Sequence, residues 1–368
     1  MDPIRILSIV WYKVLPANFG GQKGIANFNQ ALGKLFPLVC LCSRNNEAPD
    51  DLSYTVLPEL PDNKLQFFNP FVQQKIVRIA KREKPTHIIL EHPYHAKAAI
   101  AACRATGAKL IVHSHNIEYE RYREMKNKAW KFLFKLERKV HHLADLSLFK
   151  TEDDRKYAMG AFRLHPDKCI VVPYGVERPV KVPDAKTMIA ERYGYELSFG
   201  KKLLLFAGTL DYKPNTEALF NIFRRLSYYL THDMEIVICG RYRSDSSLFF
   251  LKNTSKNNIT YAGEVEDIET YFSGADIFIN PVLTGGGVQT KNLDALSYDL
   301  NIVCFDNMLS GLDLSFCKEK VFIAKAGDWN DFAEKMILAL KSPSPPTPDS
   351  FFSYYSFNNQ VARLAERL

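Results

Sequence analysis

Short runs of apolar, often β-branched residues recur along the chain, separated by longer segments with helical spacing. The runs are IRILSIVW, PLVCLCS, THIILEH, AKLIVHSH, LSLFK and CIVVPYG, and then KKLLLFAGTL, MEIVICG, NITYAG, IFINPVL, NIVCFD and KVFIA. Polar residues do not alternate with the apolar ones, which is typical of parallel strands covered on both faces. Because the intervening helices make βαβ units, the sequence predicts an α/β fold of doubly wound parallel sheets.

The chain has 368 residues, more than one hydrophobic core usually supports, so we expect two domains. The two series of strands predict two Rossmann-like domains in tandem. A proline-containing segment, PYGVERPVKVPDAK, marks their boundary, and KSPSPPTPDS is a connector near the end of the chain. We therefore predict an N-terminal domain over residues 1–178 and a C-terminal domain over residues 179–349.

The composition narrows the class of protein. A net charge of +7 suits phosphate-bearing ligands or an anionic membrane surface, but not a dedicated nucleic-acid binder. No apolar run reaches transmembrane length, and the N-terminal MDPIRILSIVWYKVL predicts a first strand and not a signal peptide. Seven cysteines without a C-x-x-C pair are typical of small buried residues in a reducing cytoplasm.

Three consecutive glycines, Gly285 to Gly287, follow an apolar strand in NPVLTGGGVQTKNLDALSYDL and precede a helical segment. Ligands of parallel α/β sheets bind at the carboxyl ends of strands, and a helix start favours an anion such as phosphate. Lys291 adds a positive charge, and Asp294 lies where a carboxylate accepts hydrogen bonds from ribose hydroxyls. The turn therefore predicts a nucleoside diphosphate. The alternative is a tight turn that needs glycine only for its dihedral angles.

Several motifs in a fixed order resemble the family-four retaining glycosyltransferases of the GT-B type. In the second half they are VVPYGVE, FAGTLDYKPNTEAL, VICGR and ITYAGEVEDIETYFSGADIFINPVLTGGGVQTKNLDAL; in the first half they are FGGQKGIANF, HSHNIEYERYRE and ERKVHHLADLSLFKTEDD. The resemblance covers nearly the whole chain. It implies two Rossmann-like domains facing a central cleft, with a C-terminal helix in residues 350–368 that packs back on the first domain.

Carried over position by position, the resemblance implies that the second domain binds a nucleotide sugar. Lys213 and Arg241 lie near the family's diphosphate-binding cations, and His115 matches the histidine beside the transferred sugar. These three are the predicted catalytic residues. The predicted donor-binding residues lie near the diphosphate, the base or the ribose, and they are Gly20, Gly21, Gly208, Gly263, Val265, Gly286, Gly287, Lys291 and Asp294.

The chain also departs from the family pattern. The family commonly has two glutamates separated by seven residues, the first touching the donor sugar and the second the ribose. Those positions are Gly286 and Asp294 here. A subgroup with a G-G-G turn uses backbone N–H groups instead, so Gly286 and Gly287 are expected to begin the phosphate-binding helix. The usual arginine and Lys-Gly pair after Gly208 are replaced by TLDYKPN, which shifts Lys213 from the family's lysine position.

Transfer from a nucleotide sugar develops negative charge on the leaving diphosphate, so cations and N–H groups there would do most of the catalytic work. Retention can proceed by double displacement on a carboxylate, or by a front-face route in which the departing phosphate deprotonates the acceptor. We favour the front-face route because the resemblance supplies no carboxylate placed for attack. Glu118 is the nearest candidate nucleophile.

Metal chemistry is not indicated by the sequence. No D-x-D triplet occurs. His113-x-His115 and His92-x-x-His95 could suggest zinc, but neither a cysteine pair nor H-E-x-x-H accompanies them. We therefore expect no metal and no cofactor beyond the nucleotide-sugar substrate. His115 is then a hydrogen-bonding group, the alternative being a histidine that only ends a strand.

The segment RYREMKNKAWKFLFKLERK, from Arg121 to Lys139, carries many more basic than acidic residues. We expect one helix here, packed on the first sheet with a solvated basic face. Its apolar stripe at helical spacing consists of Met125, Ala129, Leu133, Leu136, Val140 and Leu143, widened by Trp130 and Phe134. The alternative is peripheral contact with anionic lipid headgroups, where the acceptor could be a lipid-linked glycan.

Together these features predict a cytoplasmic, metal-independent, retaining hexosyltransferase that moves a sugar from a nucleoside-diphosphate sugar to a glycan or lipid-linked acceptor. The family association implies cell-surface polysaccharide biosynthesis, with contact at the inner face of the membrane as one option and no nucleic-acid partner. Two alternatives stay open: a catalytically weak donor-binding or scaffold protein, and a sugar-nucleotide epimerase on the same fold. An NAD enzyme is not expected, because the glycine turn is not a G-x-G-x-x-G in a first βα unit.

Overall fold

The computed structural model of the chain describes residues 3–17, 20–196, 200–241 and 258–368. It divides into two compact units. Unit 1 consists of Met1–Gly175 and Tyr355–Leu368, and unit 2 consists of Val176–Tyr354. The sequence prediction placed these divisions after residues 178 and 349.

Unit 1 is built on a seven-stranded sheet in which all neighbouring strands run parallel, in the order β3-β2-β1-β4-β5-β6-β7. The strands are Ile6–Ile9 (β1), Leu38–Ser43 (β2), Thr55–Leu60 (β3), His87–Glu91 (β4), Lys109–Ser114 (β5), Leu146–Phe149 (β6) and Cys169–Val171 (β7). The helices between them are Gly20–Gly33 (α1), Pro70–Glu83 (α2), Ala96–Thr106 (α3), Glu118–Glu124 (α4), Trp130–Leu143 (α5) and Glu152–Phe162 (α6).

Unit 2 repeats this architecture with a six-stranded parallel sheet in the order β10-β9-β8-β11-β12-β13. The strands are Lys202–Ala207 (β8), Met234–Cys239 (β9), Ile259–Gly263 (β10), Ile277–Asn280 (β11), Asn301–Phe305 (β12) and Val321–Ala324 (β13). The helices are Ala185–Tyr193 (α7), Lys213–Arg224 (α8), Ile268–Gly274 (α9), Thr290–Ser297 (α10), Trp329–Lys341 (α11) and Asp349–Tyr355 (α12). The predicted class of two Rossmann-like parallel-sheet domains is confirmed.

Strand β3 was not predicted, although each of the predicted apolar runs does contain a strand. Its sequence TVLPEL includes Pro58 and Glu59, and most of its side chains are at least partly exposed. β3 is an edge strand with β2 as its only partner in the described sheet. Proline is tolerated at an edge because the missing N–H has no partner to lose there. An exposed edge strand lacks the apolar run that marks a buried one.

The chain ends in a helix, Phe357–Ala365 (α13), that packs on α1 in unit 1. It buries Phe357, Val361 and Leu364 in the same apolar core as β1 and α1. A Cβ on Gly175 would lie 2.5 Å from the Phe357 ring, so only glycine lets the ring come this close.

The basic segment is two helices and not the single helix that was predicted. α4 ends at Glu124, Lys126 has φ +54°, and α5 begins at Trp130. An α-helix cannot pass through a positive φ, so the segment breaks between these helices. Leu133 and Val140 of the predicted stripe are buried against unit 1, whereas Met125 is 70% exposed.

No helix among the described residues is both long enough and apolar enough to cross a membrane.

Candidate active site

The glycine turn between β11 and α10 is where the sequence predicts an anion. Gly285 and Gly287 have φ angles of +118° and +84°, which residues with a Cβ rarely adopt. A helix cannot continue through such angles, so α10 begins at Thr290. The prediction that Gly286 and Gly287 begin the helix is therefore wrong. The turn itself follows the carboxyl end of β11, where α/β sheets bind ligands.

Lys291, the second residue of α10, has no carboxylate partner among the described residues. Its Nζ donates to Oδ1 of Asn215 at 2.7 Å and lies 5.3 Å from the centre of the Phe206 ring. Burial lowers the pKa of Lys291 to about 7, because the charged form loses hydration there. A half-buried amine with one neutral partner is suited to an anionic ligand, which would favour its charged form.

Asn215 holds Lys291 beside the loop that follows β8. Its Nδ2 donates to the backbone oxygen of Thr209 at 2.9 Å, while its Oδ1 accepts from Lys291. A Cβ on Gly208 would lie 2.9 Å from Nδ2 of Asn215, closer than real Cβ atoms come to other groups. Gly208, Asn215 and Lys291 therefore meet at one edge of the unit 2 sheet.

Backbone packs against backbone at the carboxyl ends of β8, β9 and β10. The N–H of Gly240 donates to the oxygen of Gly263 at 2.7 Å, and a Cβ on Gly240 would lie 1.8 Å from the oxygen of Gly208. Gly263 has φ +77° and interrupts the register of β10 with β9. Val265, from the predicted base-binding segment, is half-buried just after it. Glycine at these positions thus allows the three loops to pack closely at this edge.

Within the part of the chain that the structure describes, the ion pairs of the two predicted diphosphate cations are exposed ones. Lys213 begins α8 with an 85% exposed side chain, and its Nζ lies 3.7 Å from Oε1 of Glu217. Nε of Arg241 lies 3.7 Å from Oε2 of Glu264. Exposed pairs of this kind contribute little stability, so either cation can exchange its partner for another anion.

Asp294, the predicted ribose ligand, is half-buried in the middle of α10.

In unit 1, three polar side chains converge at the carboxyl ends of β4 and β5. Glu91 is fully buried; its Oε2 lies 3.0 Å from Nδ1 of His113 and 2.5 Å from Nε2 of His115. Burial raises the pKa of Glu91, but the two histidines more than offset this and hold it below the usual range. We call Glu91, His113 and His115 the histidine cluster.

The histidine cluster determines which nitrogen of His115 is free. Burial lowers the pKa of His115 well below its usual value, and the neighbouring His113 adds to the effect. The ring is then neutral at pH 7 and carries one N–H. Because an ionised carboxylate only accepts hydrogen bonds, this N–H lies on Nε2, facing Glu91. Nδ1 of His115 is left as an acceptor, which suits a sugar hydroxyl.

Lys150, directly after β6, is a buried cation of unit 1 that interacts electrostatically with Glu91. Its side chain is buried, and its Nζ has no hydrogen-bond partner in the described part of the chain. Burial lowers the pKa of Lys150 to about 8, and the charge of Glu91 partly offsets this. Burial also lowers the pKa of His113, so both histidine rings are neutral at pH 7 while Glu91 is ionised.

Within the described ranges, the histidine cluster is also the one group with metal-ligand spacing, its ligand atoms lying within 4.8 Å of one another. Two ligands on a tetrahedral zinc ion lie roughly 3.3 Å apart. The 2.5 Å between Glu91 and His115 is instead a hydrogen-bond distance. Of the other histidine pair of the sequence, His95 has its Nε2 2.9 Å from Oε1 of Gln66, whereas the ring of His92 lies 4.6 Å from that of His115.

Glu118, the nearest candidate nucleophile, has one carboxylate oxygen hydrogen-bonded and the other close to a histidine ring. Oε2 accepts from Tyr94 at 2.6 Å and from Arg121 at 2.7 Å, and Oε1 lies 3.6 Å from Nδ1 of His92. The side chain is 1% exposed. Burial raises the pKa of Glu118, but its partners lower it to about 2. A buried carboxylate with these partners joins α4 to the segment after β4 and is poorly placed to attack a sugar.

Two family profiles match the chain. Residues 201–342 match the glycosyl transferases group 1, and residues 20–178 match glycosyltransferase family 4. Together they cover most of both units, including the glycine turn and the histidine cluster. The chain belongs to the group 1 glycosyltransferases.

Solved structures show the same GT-B fold as this glycosyltransferase. Sucrose-phosphate synthase from Thermosynechococcus elongatus has a TM-score of 0.78 at 12% identity, covering 99% of this chain and 98% of its own. A glycosyltransferase from Rickettsia africae has 0.75 at 14% identity, with 100% and 98% covered. Anabaena HepE in complex with UDP has 0.76 at 12% identity, with 99% and 100% covered. No curated protein sequence matches the chain.

Gly20 and Gly21, which the resemblance places near the diphosphate, are the first two residues of α1 in this glycosyltransferase. The first-turn N–H groups of a helix have no partner within the helix. The pair thus forms a helix start and not a separate loop. Residues 18 and 19, which precede it, lie outside the described ranges.

Sequence reasoning missed Glu91, Lys150 and Asn215. Glu91 is the last residue of β4 and Lys150 directly follows β6, and both lie within the predicted runs THIILEH and LSLFK. A charged residue at the carboxyl end of a buried strand is the signal that could have found both. Asn215 has no such signal, because its contact with Lys291 depends on how α8 and α10 pack.

Proposed function

We propose that this glycosyltransferase moves a hexose from a nucleoside-diphosphate sugar to a glycan or lipid-linked acceptor. The observation that carries the proposal is Lys291, a half-buried amine beside a glycine turn with Asn215 as its hydrogen-bond partner. A diphosphate supplies the negative charge that would favour the protonated form of this lysine. In the proposal Asp294 accepts hydrogen bonds from the ribose.

A uridine donor is the first to test. Anabaena HepE, which shares the fold, has been solved with UDP and with UDP-glucose. In this chain the segment at the carboxyl end of β10, which includes Gly263 and Val265, would meet the base through its backbone groups. Gly20, Gly21 and Gly208 would leave room for the diphosphate, with Gly286 and Gly287 presenting backbone N–H groups to it.

We further propose that the reaction retains configuration by the front-face route and needs no metal ion. Negative charge grows on the leaving diphosphate, and stabilising it would fall to Lys291, Lys213 and Arg241. The last two would exchange their exposed carboxylate partners for phosphate oxygens. Glu118 is engaged by its own partners, which argues against a covalent intermediate on that residue.

His115 would orient the transferred sugar. With its Nε2–H committed to Glu91, the ring offers Nδ1 as an acceptor to one sugar hydroxyl. As a neutral ring it adds no charge next to the reacting carbon. The cellular setting we propose, from the family association, is cell-surface polysaccharide synthesis in the cytoplasm.

The donor is identified by titrating the protein with UDP, GDP, ADP, CMP and TDP while its melting temperature is followed. We expect one nucleotide to stabilise the protein, because a ligand that binds only the folded state shifts unfolding. Lys291→Met and Asp294→Ala should each weaken the shift, and Lys318→Met, an exposed lysine of the same unit, should not. No stabilisation by any nucleotide would contradict the proposed donor site.

Turnover is then followed with the matching nucleotide sugar in the presence of EDTA. We expect slow release of free sugar even without acceptor, with the anomeric configuration retained when NMR is read before mutarotation. Inhibition by EDTA that added magnesium reverses would contradict the metal-free route. Tight nucleotide binding without any turnover would favour the catalytically weak scaffold protein instead.

A further inference from the structure

Unit 1 exposes a cluster of large apolar side chains on one surface. Leu65, Phe68 and Phe71 are 77%, 71% and 76% exposed, and Phe132 of α5 is 49% exposed. The ring centres of Phe68 and Phe132 lie 6.3 Å apart, which joins the two segments. We call these four residues the apolar knob. Single exposed apolar residues are ordinary, but a contiguous group of them marks an interaction surface.

The apolar knob stands on an ordered segment. The 3₁₀ turn Lys64–Phe67 is capped by Asn63, whose Oδ1 accepts from the N–H of Leu65 at 3.0 Å. Phe67 anchors this turn inward, its ring 4.9 Å from Tyr94 and 5.2 Å from Trp11. With Phe67 anchored inward, the neighbouring Leu65 and Phe68 are held towards solvent.

Lysines surround the apolar knob. Lys135 and Lys139 lie three and seven residues after Phe132, on the same face of α5. Exposed lysines without a carboxylate partner in the described ranges are Lys64, Lys128, Lys131, Lys135 and Lys139. The acidic residue of this part of α5, Glu137, is buried and accepts from the backbone N–H groups of Glu118 and Tyr119. The surface therefore combines apolar rings with an excess of positive charge, five lysines against the exposed Asp62 and Glu124.

We propose that the apolar knob and its lysines dock the protein on an anionic lipid bilayer. The rings enter the headgroup and upper acyl region, and the lysines lie among the anionic headgroups. A second copy of the chain fits less well, because a symmetric contact would place these lysines against their equivalents. The inference goes beyond the proposed function, since docking requires neither donor nor turnover. It would place the protein at a membrane that holds a lipid-linked acceptor.

The test is sedimentation of the full chain with vesicles of phosphatidylcholine alone, or of equal parts phosphatidylcholine and phosphatidylglycerol. We expect tight binding to the anionic vesicles only, weakened as salt rises. Phe68→Ser combined with Phe71→Ser should weaken binding about tenfold or more, because each ring loses its buried area. Lys128→Gln, Lys135→Gln and Lys139→Gln together should weaken it about a hundredfold.

Matched controls separate docking from folding and from donor binding. Val180→Ser combined with Tyr228→Ser removes two apolar side chains of unit 2 that are 91% and 78% exposed, and should leave vesicle binding unchanged. All variants should keep the melting temperature and the nucleotide response of the unaltered protein. Failure of the unaltered protein to bind anionic vesicles would overturn the inference, as would full binding by the Phe68 and Phe71 variant. Concentration-dependent dimerisation that this variant abolishes would assign the surface to a second copy.

Discussion

Lys291 has an unusual environment for a lysine. Its amine is close to Asn215 and an aromatic ring, and burial lowers its pKa to about 7. At neutral pH a large fraction of the free protein therefore carries an uncharged amine at this position. An incoming phosphate would restore the charge, because a negative neighbour raises the pKa of an amine. The lysine thus links nucleotide binding to pH.

Nucleotide affinity should therefore fall as pH rises above about 7. The protonated lysine favours the anion, so its contribution is complete below the pKa of the free protein and is lost above it. We expect the dissociation constant to rise about tenfold per pH unit over this range, up to the raised pKa of the complex. Isothermal titration between about pH 7 and pH 9 measures this slope, in a range where the terminal phosphate is already ionised.

Lys291→Arg is the matched control for this pH dependence. A guanidinium group stays charged throughout the range, so the variant should bind with a nearly constant affinity. Equal slopes in the variant and the unaltered protein would show that another group titrates.

Glu91 and Lys150 are two charged side chains in the core of unit 1. Both side chains are buried, and only the carboxylate has hydrogen-bond donors, from His113 and His115. Removing one partner of a buried pair leaves the other charge uncompensated, which costs more than removing both.

Glu91→Gln should destabilise unit 1 by roughly 3–5 kcal/mol, and Lys150→Met should also be destabilising. The double variant should be more stable than the sum of the single changes implies, because neither charge is then stranded. Urea denaturation of the four proteins gives the coupling free energy. A coupling near zero would mean that the two charges do not compensate one another.

At the scale of elements, most of the strands that were predicted correctly are buried along nearly their whole length. Their apolar runs are local features and need no knowledge of neighbours. The edge strand β3 and the break between α4 and α5 have no such local signal. The break depends on a positive φ at Lys126. The spacing of apolar residues along the sequence does not reveal such a backbone angle. The same limit explains why α10 begins at Thr290 and not at the glycines.

The C-terminal helix α13 is the element whose contribution is most easily measured. Phe357 is 4% exposed and packs against Gly175 and the ring of Tyr174. Phe357→Ala should lower the free energy of unfolding of unit 1 by about 3–5 kcal/mol, since it removes a buried ring and leaves a cavity.

Tryptophan fluorescence can follow unit 1 alone. Of the three tryptophans, Trp11 and Trp130 lie in unit 1 and Trp329 lies in unit 2. Denaturation of the Phe357→Ala protein in a Trp329→Phe background therefore reports on unit 1. Leu338→Ala, a 50% exposed position in unit 2, is the control and should change stability by less than about 0.5 kcal/mol. An equal effect of the two substitutions would mean that α13 does not stabilise unit 1.

At the scale of the whole molecule, the chain forms unit 1, then unit 2, and returns to unit 1 with its last helix. Each unit has its own parallel sheet with helices between the strands. The residues proposed for the nucleotide lie mainly in unit 2, and the histidine cluster lies in unit 1. The glycosyltransferase therefore contains two parallel sheets. Each sheet has polar residues at the carboxyl ends of its strands.

The sequence by itself determined the two parallel sheets, most of their strands and the glycine turn, because hydrophobic periodicity and glycine content are local properties of the chain. It also contained the family motifs, through which His115 and Asp294 were predicted. Only the tertiary structure decided that Glu91 contacts His115, that Lys150 is buried where the charge of Glu91 acts on it and that Asn215 contacts Lys291. The same is true of the apolar knob, in which Phe68 and Phe132 meet. These pairs lie far apart in sequence, and packing alone brings them together.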